Sequence, residues 1–305
     1  MTAMQLGWAG VGNMGAPMLQ RLLDAGHAMR VCDARPQALE ALRGAGATAC
    51  DDVAELALSC DVIFLSLPSI DVAREVARSL LGPAQRRLRL IVNTGTTGAT
   101  LSRELAAMAA PAGVRLVDCP VSGGPEAARA GALSIMASGR SEDIEALRPL
   151  LLLWGKAITV AGEAPGAAQT LKLVNNAIIV ASYVSTLEAF LFGAKAGLAP
   201  QVMLDAINAG RLAPNGTTRV WLPDYILQGK PFGAQLHLLM KDMGLAMSEG
   251  QTQQVDMAVC QAALDVARRA CAERLEESAD LMDLMKALEA DAQFTMARAT
   301  TPAAS

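Results

Sequence analysis

The stretch LGWAGVGNMGAPMLQRLLDAG, residues 6–26, sets an apolar run, three glycines and an amphipathic segment one after another. Gly10, Gly12 and Gly15 are spaced G-x-G-x-x-G. That spacing alone says little in a chain with 26 glycines, so its flanks decide its meaning. Ahead of it, MQLGWAG reads as a short buried strand. Behind it, GAPMLQRLLDAG reads as a helix with Met18, Leu19, Leu22 and Leu23 as its apolar face and Gly26 as its stop. The next strand, AMRVCD, ends in Asp33.

Strand, glycine turn, helix, strand and acid is the order of a dinucleotide-binding βαβ unit. Each part has its own physical reason. Gly10 permits the tight turn, Gly12 lets the backbone approach a pyrophosphate, and Gly15 lets the helix pack closely on the strand. The helix N-terminus then turns N–H groups toward an anion, with Asn13 and Met14 inside the same binding turn. Asp33 can accept hydrogen bonds from both ribose hydroxyls and would repel a 2′-phosphate, which favours NAD over NADP. Arg35, two residues on, is the side chain that could reach such a phosphate.

The alternation continues through DVIFLSLP, LRLIVNTGTT, VRLVDCPVSGG and GALSIMASG, each read as a strand, with helical segments such as SRELAAMAA between them. The pattern predicts an α/β fold, with a Rossmann-type doubly wound parallel sheet over residues 1–163. Ligands of such sheets sit beyond the carboxyl ends of the strands, so Leu67, Pro68, Thr96 and Ser122 are candidates for a cleft.

From residue 164 the texture changes. TLKLVNNAIIVASYVSTLEAFLFGAKAG has no glycine or proline before Gly193 and reads as one long helix buried nearly all round, opening an all-helical domain over 164–292. Residues 293–305 end in a small and polar run without periodicity and are expected to be mobile. Gln169, Lys172 and Asn176 share one face of the long helix. A lysine there either snorkels to the surface or faces a closed cleft, where lost solvation disfavours its charged form and suits it to proton transfer; composition leaves both open.

At 305 residues and 52% hydrophobic content the chain can bury a sizeable core. A formal charge of -4, with the Lys and Arg residues scattered, argues against nucleic acid as a partner. The N-terminus enters a strand with no cationic leader or membrane-spanning run ahead of it, so a soluble cytoplasmic protein without a membrane partner is expected. The six cysteines include no C-x-x-C, and the two histidines are His27 and His237, which leaves little for a zinc site, a disulfide framework or a histidine-based triad.

Four motifs then stand together. GVGNMG, PVSGG at 120–124, GAAQTLKLVNN at 166–176 and KDMGLA at 241–246 have the order and separations of the β-hydroxyacid dehydrogenases, a family typified by 3-hydroxyisobutyrate dehydrogenase, which the chain resembles over about residues 4–290. The resemblance implies that Lys172 is the general acid and base and that Asn176 hydrogen-bonds the substrate beside it. It implies that Ser122, Gly123 and Gly124 hold a substrate carboxylate, that Thr96 lies near the nicotinamide, and that Lys241 contacts cofactor or substrate while Asp242 is structural. It further implies a helical C-terminal domain like that of 6-phosphogluconate dehydrogenase, a metal-free hydride transfer between NAD and a small 3-hydroxy carboxylate, and a homodimer or homotetramer.

The chain departs from the family where D-x-S-T is frequent and it reads NTGT, with Asn93 and Gly95, and where Ala168 replaces a common glycine. Asp33 and Ala34 stand where NADPH-using semialdehyde reductases of the family carry asparagine and arginine, again favouring NAD. Arg211, Asn215, Trp221, Gln235 and His237 are candidates for setting substrate size. The alternatives are an NADPH-dependent semialdehyde or imine reductase of the same fold and a non-catalytic nucleotide-binding protein. Imine reductases usually carry another residue at the position of Lys172.

Overall fold

In the computed structural model, which describes residues 4–43 and 46–297, the glycine turn is fixed by one carbonyl. Strand β1 (Leu6–Ala9) ends where Gly10 takes a φ of +92°, and a Cβ there would run into the Ser66 carbonyl. Helix α1 (Gly15–Asp24) starts where a Cβ on Gly15 would strike the Gly10 carbonyl oxygen. Trp8, fully buried, donates its indole N–H to that same oxygen at 2.9 Å. Strand, turn and helix are thereby held as one piece, and only residues lacking a side chain fit at positions 10 and 15.

The chain continues through β2 (Met29–Cys32), α2 (Pro36–Arg43), β3 (Ala47–Ala49), α3 (Val53–Ser59), β4 (Val62–Leu65), α4 (Ile70–Leu81), β5 (Leu90–Asn93) and α5 (Gly98–Ala109). It goes on through β6 (Arg115–Asp118), β7 (Val121–Ser122), α6 (Gly124–Arg129), β8 (Leu133–Ser138), α7 (Ser141–Leu151) and β9 (Gly155–Gly162). The sheet order is β3-β2-β1-β4-β5-β6-β8-β7, with β9 on β8. From β3 to β6 every pair is parallel. Strands β1, β4 and β5 are buried at every position, as central strands covered on both faces must be.

Past β6 the sheet departs from the expected all-parallel pattern. VRLVDCPVSGG forms two strands, β6 and β7, with Pro120 between them, a residue with no N–H to give to a ladder. Strand β8 runs antiparallel to both, and β9 parallel to β8, so the sheet is parallel-dominated with a mixed edge.

The sheet core centres on three aromatic rings. Trp8 and Phe64 stack at 5.2 Å, and Trp154 meets them edge-on at 5.7 and 5.5 Å. All three are 0% exposed.

The chain divides into two compact units between Leu173 and Val174, inside helix α8 (Ala167–Lys195). The sheet itself ends at Gly162. The first turns of α8 are bonded to strand-end loops of the sheet, so the division falls beyond the 163/164 boundary that composition suggests. As expected, α8 is a single helix running through Gly193. It is long and apolar enough to cross a membrane, but half of that stretch is buried within the protein, and Gln169, Lys172 and Asn176 are among its buried side chains, as suits a core helix. It is not buried all round. Val174, Ile178 and Phe192 are 52%, 65% and 76% exposed, a stripe that the sequence could not reveal because the helix lacks a polar face for contrast.

The second unit continues with α9 (Pro200–Ala209), a π-helical segment (Thr217–Ile226), α10 (Leu236–Thr252), α11 (Ala258–Glu273) and α12 (Leu284–Asp291). Tyr183, fully buried, anchors it by donating its hydroxyl to the Leu281 carbonyl at 2.9 Å and meeting Trp221 edge-on at 4.9 Å. Of the expected mobile tail 293–305, residues 298–305 lie outside the described residues. Within the described part, Met296 is buried and its N–H bonds Glu289 Oε1 at 2.8 Å, so the helical domain holds its chain past residue 292.

The aromatic core yields a stability prediction. Phe64→Ala should cost about 3–5 kcal/mol of unfolding free energy in chemical denaturation, because the flanking indoles cannot close the cavity. A loss under about 1 kcal/mol would show that this packing does not carry the core.

Candidate active site

The order of the sheet fixes where a ligand can enter. Strands β2 and β3 lie on one side of β1 and β4 to β6 on the other, so the connections diverge between β1 and β4. Backbone bonds stitch the carboxyl ends together: Gly10 N–H to Cys32 O at 3.0 Å, Ser66 N–H to Ala9 O at 2.9 Å, Thr94 N–H to Leu65 O at 2.9 Å, and Cys119 N–H to Asn93 O at 2.7 Å. Along this edge follow Gly10 to Gly15 after β1, Asp33 after β2, Leu67 and Pro68 after β4, and Thr96 after β5. Ser122 in β7, Gly123, and Gly124 at the start of α6 come after β6.

The turn has the shape a pyrophosphate needs. No atom lies within 4 Å of where a Cβ on Gly12 would be, so its backbone is open on that side, and Asn13 is exposed beside half-buried Met14. Residues 10–15 therefore fit a dinucleotide.

Asp33 does more than end its strand. Its Oδ2 accepts the Val11 N–H at 2.6 Å, and its Oδ1 accepts the Arg35 N–H at 2.9 Å and Nε at 3.1 Å. Arg35 Nη2 also reaches the Val11 carbonyl at 3.2 Å. Burial pushes the Asp33 carboxyl up, but the bonds from the Arg35 side chain and the Val11 and Arg35 N–H groups outweigh it and hold it below the usual aspartate range. A fixed negative charge thus ties the second strand to the glycine turn.

Lys172 lies on the second turn of α8 and is 7% exposed, which removes the surface-snorkelling alternative. Three residues before it, fully buried Gln169 accepts the N–H groups of Thr97 and Gly98 at 2.9 and 3.3 Å. Its amide donates to the Gly95 carbonyl at 3.0 Å and to Asp118 Oδ1 at 3.2 Å. Asp118, 1% exposed at the end of β6, also receives Asn93 Nδ2 at 3.3 Å, the Gly166 N–H at 3.0 Å and the Ser102 hydroxyl. Burial pushes this carboxyl up from the usual aspartate range, while its four donors oppose that rise. The loop bearing Thr96 is thereby bonded to the helix turn that precedes Lys172.

In the helical unit Asn176 is buried and donates Nδ2 to Asp242 Oδ2 at 2.8 Å. Lys241 Nζ lies 3.0 Å from Asp242 Oδ1. Asp242 therefore joins the two residues of this unit that the motifs single out.

The substrate-size candidates have other partners. Asn215 caps the π-helical segment, accepting the N–H groups of Thr217 and Thr218 at 2.8 and 3.2 Å. Trp221 packs between Tyr183 and Phe232, His237 Nδ1 lies 3.2 Å from the Glu277 carbonyl, and Arg211 is exposed. Among the described residues no group of three His, Cys, Asp or Glu side chains could hold a metal ion. In the sequence Asn93 stands out only as a departure from the family pattern, and Ser102 and Asp118 carry as their one signal a polar residue on a buried helix face or at an apolar strand end.

A family model described as the NAD binding domain of 6-phosphogluconate dehydrogenase matches residues 5–162, and one described as NAD-binding of NADP-dependent 3-hydroxyisobutyrate dehydrogenase matches residues 166–288. The chain is 34% identical to 3-hydroxyisobutyrate dehydrogenase of Pseudomonas aeruginosa, covering 82% of this chain and 86% of that one. It is 31% identical to 2-(hydroxymethyl)glutarate dehydrogenase of Eubacterium barkeri, covering 84% and 85%. Among solved structures, Mycobacterium tuberculosis 3-hydroxyisobutyrate dehydrogenase with L-serine superposes with a TM-score of 0.81 at 27% identity, covering 94% of this chain and 99% of that one. A parallel-dominated dinucleotide sheet, a helical second half and matches running through both make this chain a member of the β-hydroxyacid dehydrogenase family, and hence an NAD(P)-dependent oxidoreductase.

Proposed function

We propose that the protein oxidises a small 3-hydroxy carboxylate of the 3-hydroxyisobutyrate type with NAD, and that Lys172 is its general acid and base. The observation that carries this reading is the burial of Lys172 one turn beyond Gln169, whose side chain bonds the loop containing Thr96. Ser122 and the N–H groups of Gly123 and Gly124 hold the substrate carboxylate. Lys172, as the free amine, accepts the proton of the substrate hydroxyl, and Asn176 hydrogen-bonds the same oxygen. The Asn176 amide is oriented for this by its bond to Asp242. Lys241 serves the cofactor or the substrate from its place beside Asp242. Residues Gly10 to Gly15, with Asp33, Leu67, Pro68 and Thr96, hold the dinucleotide, which when bound supplies the acceptor for the hydride leaving the carbinol carbon.

Lys172→Ala should lower kcat by about 10²- to 10⁴-fold, followed as dinucleotide reduction at 340 nm across a panel of small hydroxy acids, while dinucleotide binding persists. Turnover near the wild-type rate would overturn the role of Lys172.

The preference for NAD rests on Asp33, whose ionised carboxylate stands beside the turn and would repel a 2′-phosphate. Asp33→Ser should move the ratio of kcat/KM for NAD to that for NADP by about tenfold or more toward NADP, equivalent to about 1.4 kcal/mol. An unchanged ratio would assign the preference elsewhere.

The reading includes a homodimer or homotetramer, supported by the exposed stripe of Val174, Ile178 and Phe192 on α8. Light scattering should give two or four times the chain mass for the wild type and a lower mass for Ile178→Glu with Phe192→Glu. A monomeric wild type would remove the oligomer from the reading.

A further inference from the structure

Asp118 and Gln169 are a buried carboxyl group and a buried amide that take no direct part in the proposed proton and hydride transfers. We propose that Gln169, oriented by Asp118, is a positioning residue for hydride transfer: it clamps the Gly95–Gly98 segment to the first turn of α8, so that Thr96 and Lys172 keep one spacing through the reaction. This inference rests on the oxidoreductase reading above.

Every hydrogen-bonding capacity of the Gln169 side chain is used. Its oxygen accepts two backbone N–H groups, from Thr97 and Gly98, and its nitrogen donates to the Gly95 carbonyl and to Asp118. Three residues of one loop, Gly95, Thr97 and Gly98, are thus bonded by one side chain. Thr96 lies between them, and Lys172 is one helical turn from the clamp.

Asp118 sets which way round the amide sits. Its four partners, Asn93 Nδ2, Gln169 Nε2, Gly166 N–H and Ser102 Oγ, are all donors, so the Gln169 nitrogen must face Asp118 and its oxygen must face the loop. Reversing the amide would bring oxygen against carboxylate and N–H against N–H. A buried polar network in which each member is satisfied specifies one arrangement and resists any other. Reactions that depend on near-contact geometry lose about 100-fold in rate for a displacement of about 1 Å, which is the scale on which such a clamp acts.

The test uses the full-length protein and two substitutions. Gln169→Met keeps length and apolar bulk but removes all four bonds. It should lower kcat on the substrate found for the wild type by about 100-fold, leave dinucleotide affinity unchanged, and speed hydrogen exchange at the Thr97 and Gly98 amides. Gln169→Glu keeps the oxygen facing the loop but turns a second oxygen toward Asp118, which among the described residues is the titratable group bonded to Gln169; Asn93, Ser102, Thr97 and Gly166 carry no charge, and Lys172 is the titratable group one turn away on the same helix. Protonation restores a donor to that second oxygen, so the ratio of this variant's kcat to that of the wild type at the same pH, in which the titration of Lys172 cancels, should rise as pH falls and decline as pH rises. The low-pH form keeps the proposal testable should Gln169→Met fail to fold.

A folded Gln169→Met enzyme with wild-type kcat would overturn the clamp while leaving the role of Lys172 intact. Parallel loss of kcat, dinucleotide affinity and melting temperature, with no recovery at low pH for Gln169→Glu, would overturn it in favour of a purely structural role. A wild-type protein inert on every hydroxy acid would overturn the hydroxy-acid reading of its function, and the clamp with it.

Discussion

A buried carboxyl group at 1% exposure is stable only if its lone pairs are filled, and Asp118 fills them with four donors from two stretches of chain, 93–102 and 166–169. Asn93 comes from the end of β5, Ser102 from α5, Gly166 from the turn before α8, and Gln169 from α8 itself. Losing one donor would leave a buried carboxyl oxygen short of a partner, so the two stretches must arrive together. The ends of β5 and β6, and the helix that carries Lys172, are in this way held by one group.

A second constraint works at the other end of the same edge. The Gly10 carbonyl is held by the Trp8 indole and closely covered by Gly15, and the Val11 N–H beside it is held by Asp33. Trp8 belongs to the aromatic cluster with Phe64 and Trp154, so the turn that fits a pyrophosphate is bonded directly to the centre of the sheet core. Core stability and the shape of the turn are therefore linked through one indole N–H.

Much of this was legible from residue order alone. The glycine spacing, the acid after the second strand, and the apolar strand runs led to the correct architecture because each reflects a local steric or solvation demand. Other features were not legible. Pro120 splits one expected strand into β6 and β7, and the antiparallel course of β8 follows from pairing partners far apart in sequence. The exposed stripe of α8 was hidden because apolar residues surround that helix on every face. The bond of Asp242 to Asn176, 66 residues away in sequence, was not legible either.

The sequence by itself determined that this chain folds as a dinucleotide-binding sheet followed by a helical half, and it marked the motifs of the β-hydroxyacid dehydrogenases. Those features depend on neighbours three or four residues apart, or on spacing within a turn. Only the tertiary structure decided that Lys172 is buried, that Asp33 is already paired to Val11 and Arg35, and that Gln169 spans the Thr96 loop under the control of Asp118. The Val11–Asp33 bond and the bonds of Gln169 join residues at least 22 positions apart, and their partners are chosen by which strand ends and helix turns the folded core brings within reach.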